Sequence, residues 1–87
     1  ALVESRAAAC VNVLAACRSI YRWQDGVETA EEIPLLIKST RANYAAVEKI
    51  VRAQHPYAVP ELIAIPITHG LPGYLEWLGR ETERPGD

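Results

Sequence analysis

Apolar side chains recur at every second position from Val11 to Trp23. Val11, Val13, Ala15, Cys17, Tyr21 and Trp23 share one face with only Ser19 as a polar member. The alternate positions mix Asn12, Arg18 and Arg22 with Leu14, Ala16 and Ile20. A period of two predicts a long strand over 11–23 with one well-buried face. Gln24-Asp25-Gly26 is a hairpin signal. A second strand is predicted over 27–38, where Val27, Ile33, Leu35 and Ile37 alternate against Glu28, Glu32 and Lys38. Pro34 cannot donate to a ladder, so that side must be an edge or a bulge.

The period then changes. Tyr44, Val47, Ile50 and Val51 form the apolar stripe of a helix, Arg41, Glu48, Lys49 and Arg52 its wet face, and Ser39 or Thr40 its cap. His55-Pro56 ends it, because a residue before proline avoids the helical region. A third strand is predicted over 61–68, with Ile63, Ile65 and Ile67 on one face, ending at Gly70. Pro72 suits the first turn of a last helix, in which Leu71, Tyr74, Leu75 and Leu78 fall at i, i+3, i+4 and i+7. Residues 1–9 read as the end of a helix whose start is cut off, since no cap precedes it. Residues 80–87 read as a polar, frayed tail.

The order helix, strand, strand, helix, strand, helix is a split βαβ pattern lacking its first strand. The expected fold is therefore α+β and ferredoxin-like, a single domain over 1–87 that is truncated at its N-terminus. It has a long β-hairpin and an extra C-terminal helix. Upstream residues, or a strand from another chain, are expected to fill the place of the absent strand, since an open central edge is an aggregation template.

Composition narrows the function classes. The chain of 87 residues is 49% hydrophobic and 23% charged, with a net charge of −2. This is ordinary globular composition. No basic run neutralises phosphates, which argues against nucleic acid as a partner. No apolar stretch approaches the length of a membrane span. The start has no apolar core of signal-peptide length. Cys10 and Cys17 lie seven residues apart in one extended run. That is roughly 23 Å at about 3.3 Å per residue, too far for a disulfide, and the odd spacing sends them to opposite faces. Reduced thiols in a reducing, cytoplasmic compartment are expected.

Five motifs carry a family likeness. Ala8-Ala9-Cys10-Val11-Asn12-Val13, Ser19-Ile20-Tyr21-Arg22-Trp23 and Leu36-Ile37-Lys38 are three of them. His55-Pro56-Tyr57 with Val59-Pro60-Glu61, and Gly70 followed by Tyr74-Leu75-Glu76-Trp77-Leu78, complete the set. In this order and spacing, over roughly residues 1–82, they resemble the CutA family of divalent-cation-tolerance proteins. The resemblance implies a ferredoxin-like homotrimer, similar in architecture to the PII signalling trimers whose subunit boundaries hold small ligands. It also implies a link to copper and other divalent metals, and no settled enzymatic activity. Ala15-Ala16 depart from the Pro-Gly of many members, Cys17 from a usual valine, Pro34 from a strand aliphatic, and Ala58 from a glutamate.

Two Cys and two His with no CxxC, HxxxH or HExxH spacing give no sequence-local metal site. Any site for a copper-like divalent ion must be assembled in space or between subunits. Cys10, His55 and Glu61 are its candidate ligands. Each has a plainer reading: Cys10 as a small buried hydrophobe, His55 as a helix-ending side chain, Glu61 as a partner of Lys38. The candidate ligand cleft comprises Tyr21, Trp23, Lys38, Ser39, Tyr57, Tyr74 and Trp77. The aromatics equally suit packing. Lys38 beside a helix start suits an anion, or simply snorkels from a strand end. No nucleophile motif or glycine-rich phosphate loop is present, so an enzyme is not expected. The leading expectation is a trimeric metal-response protein with an inter-subunit cleft. The alternative is a PII-like signalling or scaffold trimer that binds a small anion or a partner protein.

Overall fold

The computed structural model describes residues 1–55 and 60–84. Its β-structure is two short antiparallel ribbons rather than two unbroken strands. Strand β1 (Cys10–Val13) pairs with β4 (Leu35–Lys38), in register from Cys10↔Lys38 to Val13↔Leu35. Strand β2 (Cys17–Trp23) pairs with β3 (Gly26–Glu32), from Cys17↔Glu32 to Trp23↔Gly26. The expected strands over 11–23 and 27–38 are thus each broken once, at the same level.

The break has a definite geometry. The Leu14 N–H donates to the Pro34 carbonyl at 3.0 Å, which carries the β1–β4 register one step further. Pro34 has no N–H to return, so the ladder stops there. The next pair is Cys17↔Glu32, which leaves Ala15 and Ala16 facing Ile33 alone. Two residues opposite one is a β-bulge. Of the edge or bulge expected at Pro34, the bulge is present, with the extra residue on the opposing strand.

The hairpin loop is Gln24-Asp25, with φ of 49° and 66°. Two consecutive positive φ values are the mark of a type I′ turn, whose twist matches that of its strands. Gly26 lies outside the loop and opens β3.

A 3₁₀ turn (Arg41–Asn43) leads into α1 (Tyr44–Gln54). The expected caps do not act as caps. Thr40 makes no side-chain bond to the turn, and the Ser39 hydroxyl donates to the Ala7 carbonyl instead. Val47 is the buried centre of the α1 stripe, and the His55 N–H closes the helix on the Val51 carbonyl at 2.9 Å. Helix α2 (Pro72–Glu81) begins at Pro72 as expected and buries Leu78, while Leu71, Tyr74 and Leu75 stay exposed. Residues 2–6 form turns, ended at Arg6 by a φ of 66°. One i→i−4 bond, Ser5 N–H to the Ala1 carbonyl at 3.3 Å, is all that is helical there.

Two expectations fail for lack of neighbours. Residues 61–70 form no strand, because a strand exists only through ladder bonds and no described residue supplies them. Ile63, Ile65 and Ile67 are therefore exposed, Ile65 at 82%. The face predicted as buried on the hairpin is also open: in β2 only Ser19 is partly covered. Among the described residues the buried apolar side chains are Ala7, Ala8, Val47 and Leu78. A radius of gyration of 15.0 Å, against about 12 Å for a compact chain of this length, records the same openness. The frayed tail is corrected in part, since Arg80 and Glu81 belong to α2 and Thr82 is buried. Both cysteines are free.

Candidate functional site

The best-built group of candidate residues lies where β1 and β4 begin and end. Register sets Cys10 opposite Lys38, and directly opposed residues share a face. Asn12, two residues along β1, lies on that face too. The Lys38 ammonium donates to Asn12 Oδ1, and the Lys38 carbonyl accepts from Ala9 N–H at 2.9 Å. Ser39 follows, its hydroxyl spent on the Ala7 carbonyl. A thiol, an amide and an ammonium thus stand on one side of a two-stranded ribbon. The ammonium is anchored by a neutral group, so its charge stays uncompensated within this cluster. Asn12 was not among the residues expected to matter, and Glu61, the expected partner of Lys38, is an exposed residue of the unpaired segment.

The other candidates are dispersed. His55 is half-buried at the end of α1. Among the described residues no three His, Cys, Asp or Glu side chains are grouped to hold a metal ion. Cys10, His55 and Glu61 are not such a group. Tyr21 and Trp23 lie exposed near the tip of the hairpin. Tyr74 and Trp77 stack on α2 with ring centroids 5.5 Å apart and a tilt of 39°. Tyr57 lies outside the described residues. A cavity of about 200 Å³ is lined by Val3, Glu4, Arg6, Ala8, Ala9 and Glu81, none of them a candidate. His69 is exposed, with Nδ1 3.1 Å from the Thr68 hydroxyl. No helix among the described residues is long and apolar enough to cross a membrane.

Comparison with known proteins supplies the context for these residues. The profile of the family described as "CutA1 divalent ion tolerance protein" matches residues 1–81. The divalent-cation tolerance protein CutA of Thermus thermophilus is 48% identical over 82 residues, which are 94% of this chain and 80% of that protein. A solved structure of the divalent cation tolerance protein from Thermus thermophilus superposes with a TM-score of 0.92 at 46% identity, covering 94% of this chain and 80% of that one. The structure described as the periplasmic divalent cation tolerance protein CutA of Archaeoglobus fulgidus gives a TM-score of 0.90 at 35% identity, covering 94% and 79%. The chain spans about half the length of its mouse, frog and human relatives. Agreement in sequence and backbone over nearly the whole chain makes the fold ferredoxin-like, and the chain belongs to the CutA1 divalent ion tolerance protein family.

Proposed function

We propose that this protein is a homotrimeric divalent-cation-response protein, and that its ligand site lies between subunits. One observation carries the reading: near its tip the hairpin presents Tyr21 and Trp23, 39% and 44% exposed, on one side as an aromatic surface at one end of an elongated chain. Exposed apolar patches of this kind mark interaction surfaces. A ring of three identical contacts closes without leaving an edge. The neighbour also completes what one chain lacks. Cys10, His55 and Glu61 are too dispersed to hold an ion alone, and a second copy brings further ligands to the Cys10–Lys38 cluster. The strand neighbour of residues 61–68 is, on this reading, supplied by residues outside the 87 or by another chain. The thiolate and imidazole among the candidates suit a copper-like ion. The role is binding rather than catalysis, and the free thiols suit a reducing compartment such as the cytoplasm.

Titration of the reduced protein with copper tests this reading. The parent is expected to bind more tightly than a Cys10→Ala, His55→Ala variant, and equal affinities would reject the metal site. A thermal-shift series with small anions, in the parent and in Lys38→Ala, separates out the PII-like alternative, because only a ligand that binds the folded state raises the melting temperature.

A further inference from the structure

The bulge changes which residues share a side of the hairpin. Counting along 11–23 by twos puts Tyr21 and Trp23 with Val11 and Val13. The observed pairing does not allow that count to run through. Leu14 faces Pro34 in the register of the lower ribbon, and Cys17 faces Glu32 in the register of the upper one. On the unbulged strand, Pro34 and Glu32 are two residues apart and fall on the same side. Their partners Leu14 and Cys17 follow them. Hence Asn12, Leu14, Cys17, Ser19, Tyr21 and Trp23 lie on one side. Val11 and Val13 lie on the other with Ile20 and Arg22. Within each ribbon the side-chain contacts follow the ordinary alternation: Lys38 reaches Asn12 in the lower one, and Cys17 Sγ lies 3.9 Å from Ser19 Oγ in the upper one.

We infer that the Ala15-Ala16 bulge has a side-setting role by compensation: it absorbs one extra residue of its strand, so that Tyr21 and Trp23 stay on the side of the ribbon that carries Cys10, Asn12 and Lys38. Resting on the trimer reading above, this sets the aromatic surface that packs on a second copy and the thiol–amide–ammonium cluster on one side of the ribbon, roughly 33 Å apart along the strand at about 3.3 Å per residue. The bulge allows the longer strand to keep its extra residue without turning the aromatic side over. The parity of the 32–35 segment, two intervening residues rather than three, is what decides the facing.

Two variants separate facing from mere loss of the bulge. Between the Leu14–Pro34 and Cys17–Glu32 pairs, deleting Ala15 leaves one residue opposite one and preserves the facing. Inserting one alanine between Glu32 and Ile33 leaves two opposite two and reverses it. Both remove the bulge; only the insertion turns the aromatic side over. Facing is read directly by dipolar distances between spin labels at Leu36 and Ala30, on one side, and at Leu36 and Glu31, on opposite sides. The labels are introduced in a Cys10→Ser, Cys17→Ser background diluted with unlabelled chain. In the parent and in the Ala15 deletion the Leu36–Ala30 distance is expected to be the shorter of the two, and in the insertion variant the longer. An unchanged order in the insertion variant overturns the inference. Sedimentation of the same variants tests the reading beneath it. Assembly is expected to survive the deletion and be lost on insertion. Reversed distances with assembly intact would keep the side-setting role and reject the interface.

Discussion

Asn43 Nδ2 donates to the Thr82 carbonyl at 2.7 Å, joining the turn before α1 to the residue after α2 across 39 positions of sequence. Both residues are buried, and Asn43 also reaches the Arg6 carbonyl at 3.5 Å. The Thr82 hydroxyl turns back to the Leu78 and Gly79 carbonyls at 2.8 and 3.1 Å. In a chain with so few buried apolar side chains, this polar node ties three segments together.

Asn43→Ala is therefore expected to lower unfolding free energy by about 1–3 kcal/mol, because it leaves a buried carbonyl without its donor. Thr82→Val keeps that carbonyl and loses only the hydroxyl bonds, so a smaller loss of about 0.5–1.5 kcal/mol is expected. Urea unfolding at fixed protein concentration measures both. Equal stability of Asn43→Ala and the parent would show that the node contributes nothing.

The hairpin turn is the clearest place for a stabilising change. Gln24 and Asp25 hold φ values of 49° and 66°, a region that costs ordinary side chains about 1–2 kcal/mol and glycine almost nothing. Asp25→Gly, with Gln24→Asn, should raise stability by up to about 1 kcal/mol, after the added entropy of the unfolded glycine is subtracted. Thermal unfolding of the double variant checks the sign, and a lower melting temperature would count against the turn assignment.

On the trimer reading proposed above, Trp23→Asp should convert the assembly to monomer while leaving the circular dichroism of the hairpin intact. Trp23 is 44% exposed in the single chain, so a charge there meets water unless a neighbour covers it. Sedimentation equilibrium at micromolar concentration reads the outcome. A trimer that tolerates aspartate at this position would remove Trp23 from the interface.

The two thiols should react with an aromatic disulfide reagent at different rates. Cys17 is exposed and Cys10 half-buried, and neither is bonded to the other. The folded single chain without reductant is expected to show one fast and one slow thiol, and two equivalents after unfolding. Fewer than two equivalents after unfolding would reveal a disulfide.

Local chemistry was legible in the sequence. The strand alternation, the hairpin at Gln24-Asp25, the apolar stripe centred on Val47, the stop at His55 and the start at Pro72 each depend on side chains within a few positions. The motifs around Cys10, Lys38 and Tyr74 carried the family. What the sequence could not supply was register. Extending the count from Trp23↔Gly26 would set Lys38 opposite Val11, yet it lies opposite Cys10. One extra residue at Ala15-Ala16 accounts for that shift. Absorbed in a bulge, it leaves Tyr21 and Trp23 on the side of Asn12, which partners Lys38. Ser39 left its cap for the Ala7 carbonyl because a segment 32 residues away came within reach. Residues 61–68 have the alternation of a strand and are not one, because a strand's bonds are made by a neighbour. Periodicity is a property of each segment and can be read from it; pairing belongs to two segments at once, and only the folded arrangement decides it.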